Sequence, residues 1–225
     1  MSSPYDGLPP SQWEAKTREL ISKHPLKTKE IAEVVLKCWE GIFNSNLSGY
    51  QIGEHIYPKP QVMGFFLHEL IALEFQTRYP GIWRNDETAT EKDLVYIPDL
   101  ALSSEIKSST HRSQIFGNRS YAQPPTEGKK TKSKSGYYIA INFEKFKDKV
   151  TAPRIMRIRF GWLEHSDWVG QKAATGQQAH IKPESDRAKL LLIYDVNTGI
   201  QPLGLLADPI GDAEPTEDAD ELTDD

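Results

Sequence analysis

The residues of this chain that could act together chemically lie in one short stretch, from Asp93 to Lys107. Leu94, Val95, Tyr96 and Ile97 form an apolar run of strand length, and Pro98-Asp99 supplies turn chemistry. Glu105-Ile106-Lys107 then alternates polar and apolar, which puts Glu105 and Lys107 on one face of a second strand. A hairpin whose loop is centred on Asp99 pairs Asp93 with Glu105, and directly opposed residues have Cβ atoms about 5 Å apart. Two carboxylates at that separation make a hard-oxygen seat for Mg²⁺, with a lysine ammonium beside it. A metal held there lowers the pKa of a water and stabilises charge at phosphorus, so the chemistry indicated is metal-dependent hydrolysis of a phosphodiester. Lys107 would orient that water or meet the developing charge. It could serve as a base only if neighbouring cations lowered its pKa far below ~10.4.

E-x-K after an apolar strand is also the pattern of an ordinary solvated strand face. Three features favour the chemical reading here. An acid stands in register, small polar Ser103, Ser104, Ser108 and Ser109 surround the motif, and strongly basic sequence follows it.

The elements that must position these groups can be read from periodicity. A helix is expected from a cap at Ser11 to about Lys23, and a second, capped by Thr28, carries Ile31, Val34, Val35, Cys38, Trp39 and Ile42. A third runs from about Gln61 to Arg78 and ends at Pro80-Gly81. Residues 1–10 and 44–60 read as loose or loop-like. After the hairpin come a helix or turn near 113–121 and an apolar strand from Gly136 to Phe143. Ile155 to Phe160 alternates as a half-buried strand with Arg157 and Arg159 outward, and Leu190 to Val196 is a buried strand. Helices followed by strands with interspersed helix give an α/β or α+β core around a mixed sheet.

Composition bounds the rest. With 225 residues and 38% hydrophobic content, the chain can bury one core, read as a single domain over 1–206. No apolar run reaches membrane-spanning length and the start lacks a charged-then-apolar signal, so a cytoplasmic protein without a membrane partner is expected. One cysteine, Cys38, allows no disulfide framework within the chain and belongs to a core stripe. The formal net charge of −5 divides into a body of +4 and, over Ala207 to Asp225, a tail of −9 without a base. Such acidic blocks are disordered as a rule. From Lys107 to Arg159 there are thirteen Lys and Arg against three acids, the excess a polyanion-binding face needs.

An acid on one strand followed by E-x-K on the next resembles the PD-(D/E)XK nuclease superfamily, which contains many type II restriction endonucleases. Phe116-Gly117-Asn118-Arg119-Ser120-Tyr121 is similar to restriction-enzyme sequence, and the branch it resembles is the Sca type. The resemblance rests on about fifteen residues around the hairpin. The literal Pro98-Asp99 pair invites a direct match, but five residues separate Asp99 from Glu105 and Asp99 falls in the turn. Asp93 is therefore read as the family aspartate, with Asp99 the alternative. The resemblance implies a mixed central sheet flanked by helices, and Mg²⁺ held by Asp93 and Glu105 with Lys107 completing the catalytic set. It also implies a further metal-site acid from a preceding helix, Glu69 or else Glu74; His68 beside it reads as a surface or packed residue. A repair nuclease of the same superfamily would carry the same groups, and a non-catalytic DNA-binding protein would need only the basic segment.

For a site-specific endonuclease on double-stranded DNA, two polar clusters are the places to seek base and phosphate contacts: Gln114, Asn118, Arg119, Ser120 and Gln123, then Gln171, Lys172, Thr175, Gln177, Gln178 and His180. Lys129, Lys130, Lys132 and Lys134 would meet phosphates. A homodimer is expected, because a two-fold protein matches a two-fold site. The acidic tail yields a first prediction. Deleting Ala207 to Asp225 leaves the melting temperature unchanged, since this segment cannot offset its ordering entropy; a large fall in a thermal melt would show that the tail packs.

Overall fold

In a computed structural model of the protein, residues 3–124, 131–147, 152–173 and 176–201 are described. The acidic tail and Lys129, Lys130 and Thr175 lie outside them. Helices α1 (Trp13–Lys23), α2 (Thr28–Phe43) and α3 (Pro60–Arg78) come first, with a small hairpin of β1 (Asn46–Leu47) and β2 (Tyr50–Gln51) before α3. Then follow β3 (Trp83–Asn85), β4 (Leu94–Tyr96), β5 (Ser104–Ser109), β6 (Phe116–Asn118), β7 (Gly136–Phe143), β8 (Ile155–Leu163), β9 (Trp168–Gly170) and β10 (Gln178–Ile181). The short α4 (Pro183–Lys189) leads into β11 (Leu190–Asp195) and β12 (Gly199–Ile200).

Seven strands form a central sheet in the order β12-β11-β8-β7-β5-β4-β3. Only β5 and β7 pair in parallel, so the sheet is mixed, and the expected α+β architecture with flanking helices is present. Alternation divides its two faces. Ile106, Ile139, Ile141, Ile158, Phe160 and Leu191 enter the main core with the α2 stripe Ile31, Val34, Val35, Cys38, Trp39 and Ile42 and with Leu67, Ile71 and Phe75 of α3. The opposite face carries Glu105 and Lys107, aligned across the ladder with Tyr138 and Ala140 of β7. A second, three-stranded sheet in the order β6-β10-β9 covers part of that face. Ile115, Tyr121, Trp168, Ala179 and Ile181 pack there on Tyr138, Ala140, Leu163 and Leu190. The stretch from Asp93 to Lys107 thus runs along the seam between the main core and the smaller sheet.

Several sequence expectations are corrected. Residues before α1 are not all loose, because Tyr5 is buried and its hydroxyl bonds Thr17 Oγ1 at 2.8 Å. Ser11 and Thr28 do not cap: the cap positions are Gln12 and Lys27, without a side-chain bond, and Thr28 is itself helical and buried. The 44–60 segment contains the β1–β2 hairpin. Of the helix or turn expected near 113–121, the turn is present as a 3-10 turn over Arg119–Ala122, but a strand, β6, precedes it. Arg159, expected outward, is buried, its guanidinium bonded to Asp186, Asn142 Oδ1 and the Ser113 carbonyl. Strand alternation was read correctly there, but the second sheet and α4 cover the face assigned to solvent.

Gly161 in β8 shows how closely α4 lies on the sheet. A Cβ at this position would stand 1.8 Å from the Lys189 carbonyl oxygen, a backbone atom that cannot move aside. Gly161→Ala should therefore destabilise the fold by at least about 2 kcal/mol. Gly41→Ala in α2, where nothing lies within 4 Å, should be neutral or stabilising by up to about 1 kcal/mol. Paired denaturant titrations measure both.

Candidate active site

The β4–β5 ladder joins Leu94 to Ser104, which is the register of a loop centred on Asp99. Both residues face the helices, so their neighbours Asp93 and Glu105 turn to the other face. The two acids are buried, 4% and 1% exposed. Asp93 Oδ2 accepts the backbone N–H of Ile106 at 2.8 Å. That bond ties the acid, which precedes β4, to the middle of β5.

Isolated carboxylates at this depth would be costly, and cations surround them. Lys107 Nζ lies 2.6 Å from Glu105 Oε1 and 4.0 Å from Asp93 Oδ2. Lys132 Nζ bridges the pair, bonding Asp93 Oδ1 and standing 3.0 Å from Glu105 Oε2. Lys92 Nζ approaches Glu105 Oε2 to 3.9 Å while donating to the Ser133 carbonyl at 2.7 Å. From α3, His68 Nε2 reaches Asp93 Oδ2 at 3.1 Å. The Tyr121 hydroxyl donates to Glu105 Oε1.

These contacts fix the protonation states. Burial works to raise the pKa of Asp93, but the His68 hydrogen bond and the charges of Lys107, His68 and Lys132 outweigh it and hold the carboxyl below its ordinary range. Glu105 is also lowered, burial being outweighed by Lys107 and the neighbouring lysines, although Asp93 opposes them. The bond to Asp93 raises His68. Burial and the Glu105 charge push the Tyr121 phenol up, so it stays a donor. Burial brings the Lys92 ammonium down to about 8.

The donor set fits a hard divalent cation. Mg²⁺ is commonly bound by one or two carboxylates and retained waters rather than by an all-protein cage. Glu105 Oε2 is buried without a hydrogen bond and meets the Lys132 ammonium only as an ion pair at 3.0 Å. That ammonium is a positive charge of the protein's own seated between the two acids. No group of three His, Cys, Asp or Glu side chains that could hold a metal occurs among the described residues.

Glu69 does not join the pair. It lies 3.6 Å from His68 Nδ1, and the imidazole stands between it and Asp93. Its alternative, Glu74, is paired with Lys37 and Arg78 at 2.7 and 2.8 Å. Asp99 is exposed in the turn, where its carboxylate accepts the Ala101 N–H. Three groups at the site were missed in the sequence. Lys92 adjoins Asp93 and Tyr121 lies within the restriction-like segment, so each has a weak signal, whereas His68 reads in the sequence as a surface or packed residue. Lys132, expected at phosphates, is instead turned into the carboxylates.

The two polar clusters meet. β6 and β10 pair with Asn118 opposite Gln178 and Phe116 opposite His180. Arg119 Nη1 donates to the carbonyls of Ala173 and Gly176, and Gln114 Nε2 donates to that of Ile181, so both fasten one cluster to the other. Asn118, Ser120, Lys172 and Gln177 are exposed, whereas Lys130 lies outside the described residues.

Comparison with known proteins bears on the activity. Residues 3–194 match the model of the ScaI restriction endonuclease family. The chain is 49% identical over 195 residues to the type II restriction enzyme ScaI of Streptomyces caespitosus, covering 85% of each protein. No solved structure matches. Among the described residues, no helix is long and apolar enough to cross a membrane. Enzymes of this type cut double-stranded DNA at defined sites and use a divalent metal ion, a requirement that two adjacent buried carboxylates suit. The chain belongs to the ScaI restriction endonuclease family and is a type II restriction endonuclease, a site-specific deoxyribonuclease.

Proposed function

We propose that Asp93, Glu105 and Lys107 form the hydrolytic centre of this endonuclease, that its metal is Mg²⁺, and that it acts as a homodimer. The observation that carries the first two statements is the pair of buried carboxylates sharing one ammonium, with Glu105 Oε2 lacking a proper donor. Asp93 and Glu105 would hold the cation, and the Ile106 carbonyl lies on the strand between Glu105 and Lys107. A bound Mg²⁺ supplies Lewis acidity, acidifying the attacking water and screening charge on the phosphate. Lys107 is placed to orient that water and to meet the developing charge. His68 and Tyr121 each hold one carboxylate oxygen, Asp93 Oδ2 and Glu105 Oε1, which leaves Asp93 Oδ1 and Glu105 Oε2 to Lys132 or, in its place, a cation. Glu69 acts only through His68. Lys132 holds the acids together and would have to leave this seat for a cation to occupy it. Ser120, Lys172 and Gln177, with Arg119 and Gln114 as fasteners behind them, lie where the duplex passes. A dimer offers one such centre to each strand of a two-fold site.

In a plasmid assay with Mg²⁺, Glu105→Ala and Asp93→Asn should each abolish cleavage, while gel shifts with Ca²⁺ show duplex binding largely kept. Asp99→Asn should cut normally. An inactive Asp99 variant beside an active Asp93 variant would reverse the assignment. Lys132→Met tests the seat itself. Without metal its melting temperature should drop below that of the native protein, because two buried acids lose a counter-charge. Added Ca²⁺ should then raise it by more than it raises the native protein, because no ammonium competes. Equal calcium shifts in the two proteins would remove Lys132 from the seat.

A further inference from the structure

We infer that the outer face of the β6-β10-β9 sheet is the base-reading surface, entering the major groove of the duplex with Asn118 and Gln178 directed at adenine edges. This deepens the reading of the chain as a nuclease acting from Asp93 and Glu105, and rests on it for the position of the DNA.

Register determines which side chains share the outer face. Gly117, Ala179 and Ile181 turn inward onto Tyr121 and Trp168, so Phe116, Asn118, Gln178 and His180 turn outward. Asn118 stands directly opposite Gln178. Such partners have Cβ atoms about 5 Å apart, which lets two amides reach neighbouring base pairs. Gln171, just beyond the end of β9, continues the row, its Nε2 donating to Gln178 Oε1 at 3.4 Å. Among the described residues Asn118 makes no side-chain hydrogen bond. An amide offers one acceptor and two donors, the complement of the N6 and N7 edge of adenine, and the major groove admits a two-stranded ribbon.

Charge selects DNA as the occupant. The sequence of this sheet and its turns, 116–124 and 168–183, contains no acid, although the chain has 32. It carries Arg119, Lys172 and Lys182. The same sheet is also continuous with the catalytic group. Tyr121, in the turn that follows β6, donates to Glu105. A Cβ on Gly117 would stand 2.9 Å from the Tyr121 ring and 3.2 Å from that of Trp168, so glycine lets the strand close onto the tyrosine. The surface that would read the duplex is therefore linked to Glu105 through Gly117 and the Tyr121 ring.

The test begins by sequencing the ends of plasmid fragments cut with Mg²⁺, which defines the site. Duplexes of that site are then made with 7-deazaadenine, which lacks the N7 acceptor, at each adenine in turn. Affinities are measured with Ca²⁺ in place of Mg²⁺. The native protein should bind at least one analogue roughly 10- to 100-fold more weakly than the natural duplex. Asn118→Ala or Gln178→Ala should bind that analogue and the natural duplex alike. Indifference of the native protein at every adenine, a site without adenine, or discrimination left intact in both variants would overturn the assignment. Discrimination by the native protein together with full cleavage by Asp93→Asn would leave this surface standing and instead remove the catalytic assignment.

Discussion

Everything around the centre of this protein answers one electrostatic difficulty: two carboxylates are held side by side at the edge of an apolar layer. Neither Asp93 nor Glu105 could stay ionised there alone. The surroundings are accordingly cationic. Lys107 comes from the strand of Glu105, Lys92 from the residue before Asp93, Lys132 from the segment preceding β7, and His68 from α3. These four groups reach the acids from four parts of the chain, so local changes in any of them are felt at the same two side chains. On the proposed assignment the Lys132 ammonium is a counter-charge that a cation would replace, whereas a pair satisfied by rigid donors would have nothing left to offer one.

The two sheets divide the work. The seven-stranded sheet buries its helix-facing side in one core and so gives β4 and β5 a fixed register. The smaller sheet lies over the remaining surface through Tyr121, Trp168 and Ile181. Tyr121 belongs to both the small apolar cluster and the carboxylate network. Movement of the smaller sheet would therefore shift the phenol against Glu105, giving the enzyme a physical route from contact with DNA to the geometry of its acids.

Much of this was legible in the residues themselves. The stripe from Ile31 to Ile42 specified α2, the apolar runs specified β7 and β11, and symmetry about Asp99 placed Asp93 opposite Glu105. These features depend on periods of 3.6 and 2, which a sequence displays directly. What escaped depends on contacts between distant segments. β6, β9 and β10 are three or four residues long, too short to show a period, and they become a sheet only by pairing across some sixty positions of chain. His68 is separated from Asp93 by a helix end and two turns of chain direction. Lys132 reads as a phosphate-contacting lysine because its neighbours are Lys, Ser and Thr, and only the fold turns it inward. Arg159 misled in the opposite sense, since strand alternation tells which face a side chain takes but not what covers that face.

The connection between β4 and β5 also limits how the family can vary. Side chains change face at every residue, so the two acids share a side only while Leu94 stays level with Ser104. Substitutions within 97–103 are tolerable wherever the turn still closes. A single inserted or deleted residue is another matter: unless a bulge absorbs it, the slip sends a carboxylate into the layer of Ile106 and Ile139 and an isoleucine out towards the phosphate. Drift in this loop should therefore be free in letters and quantised in length, with odd changes appearing only beside a local irregularity that restores parity.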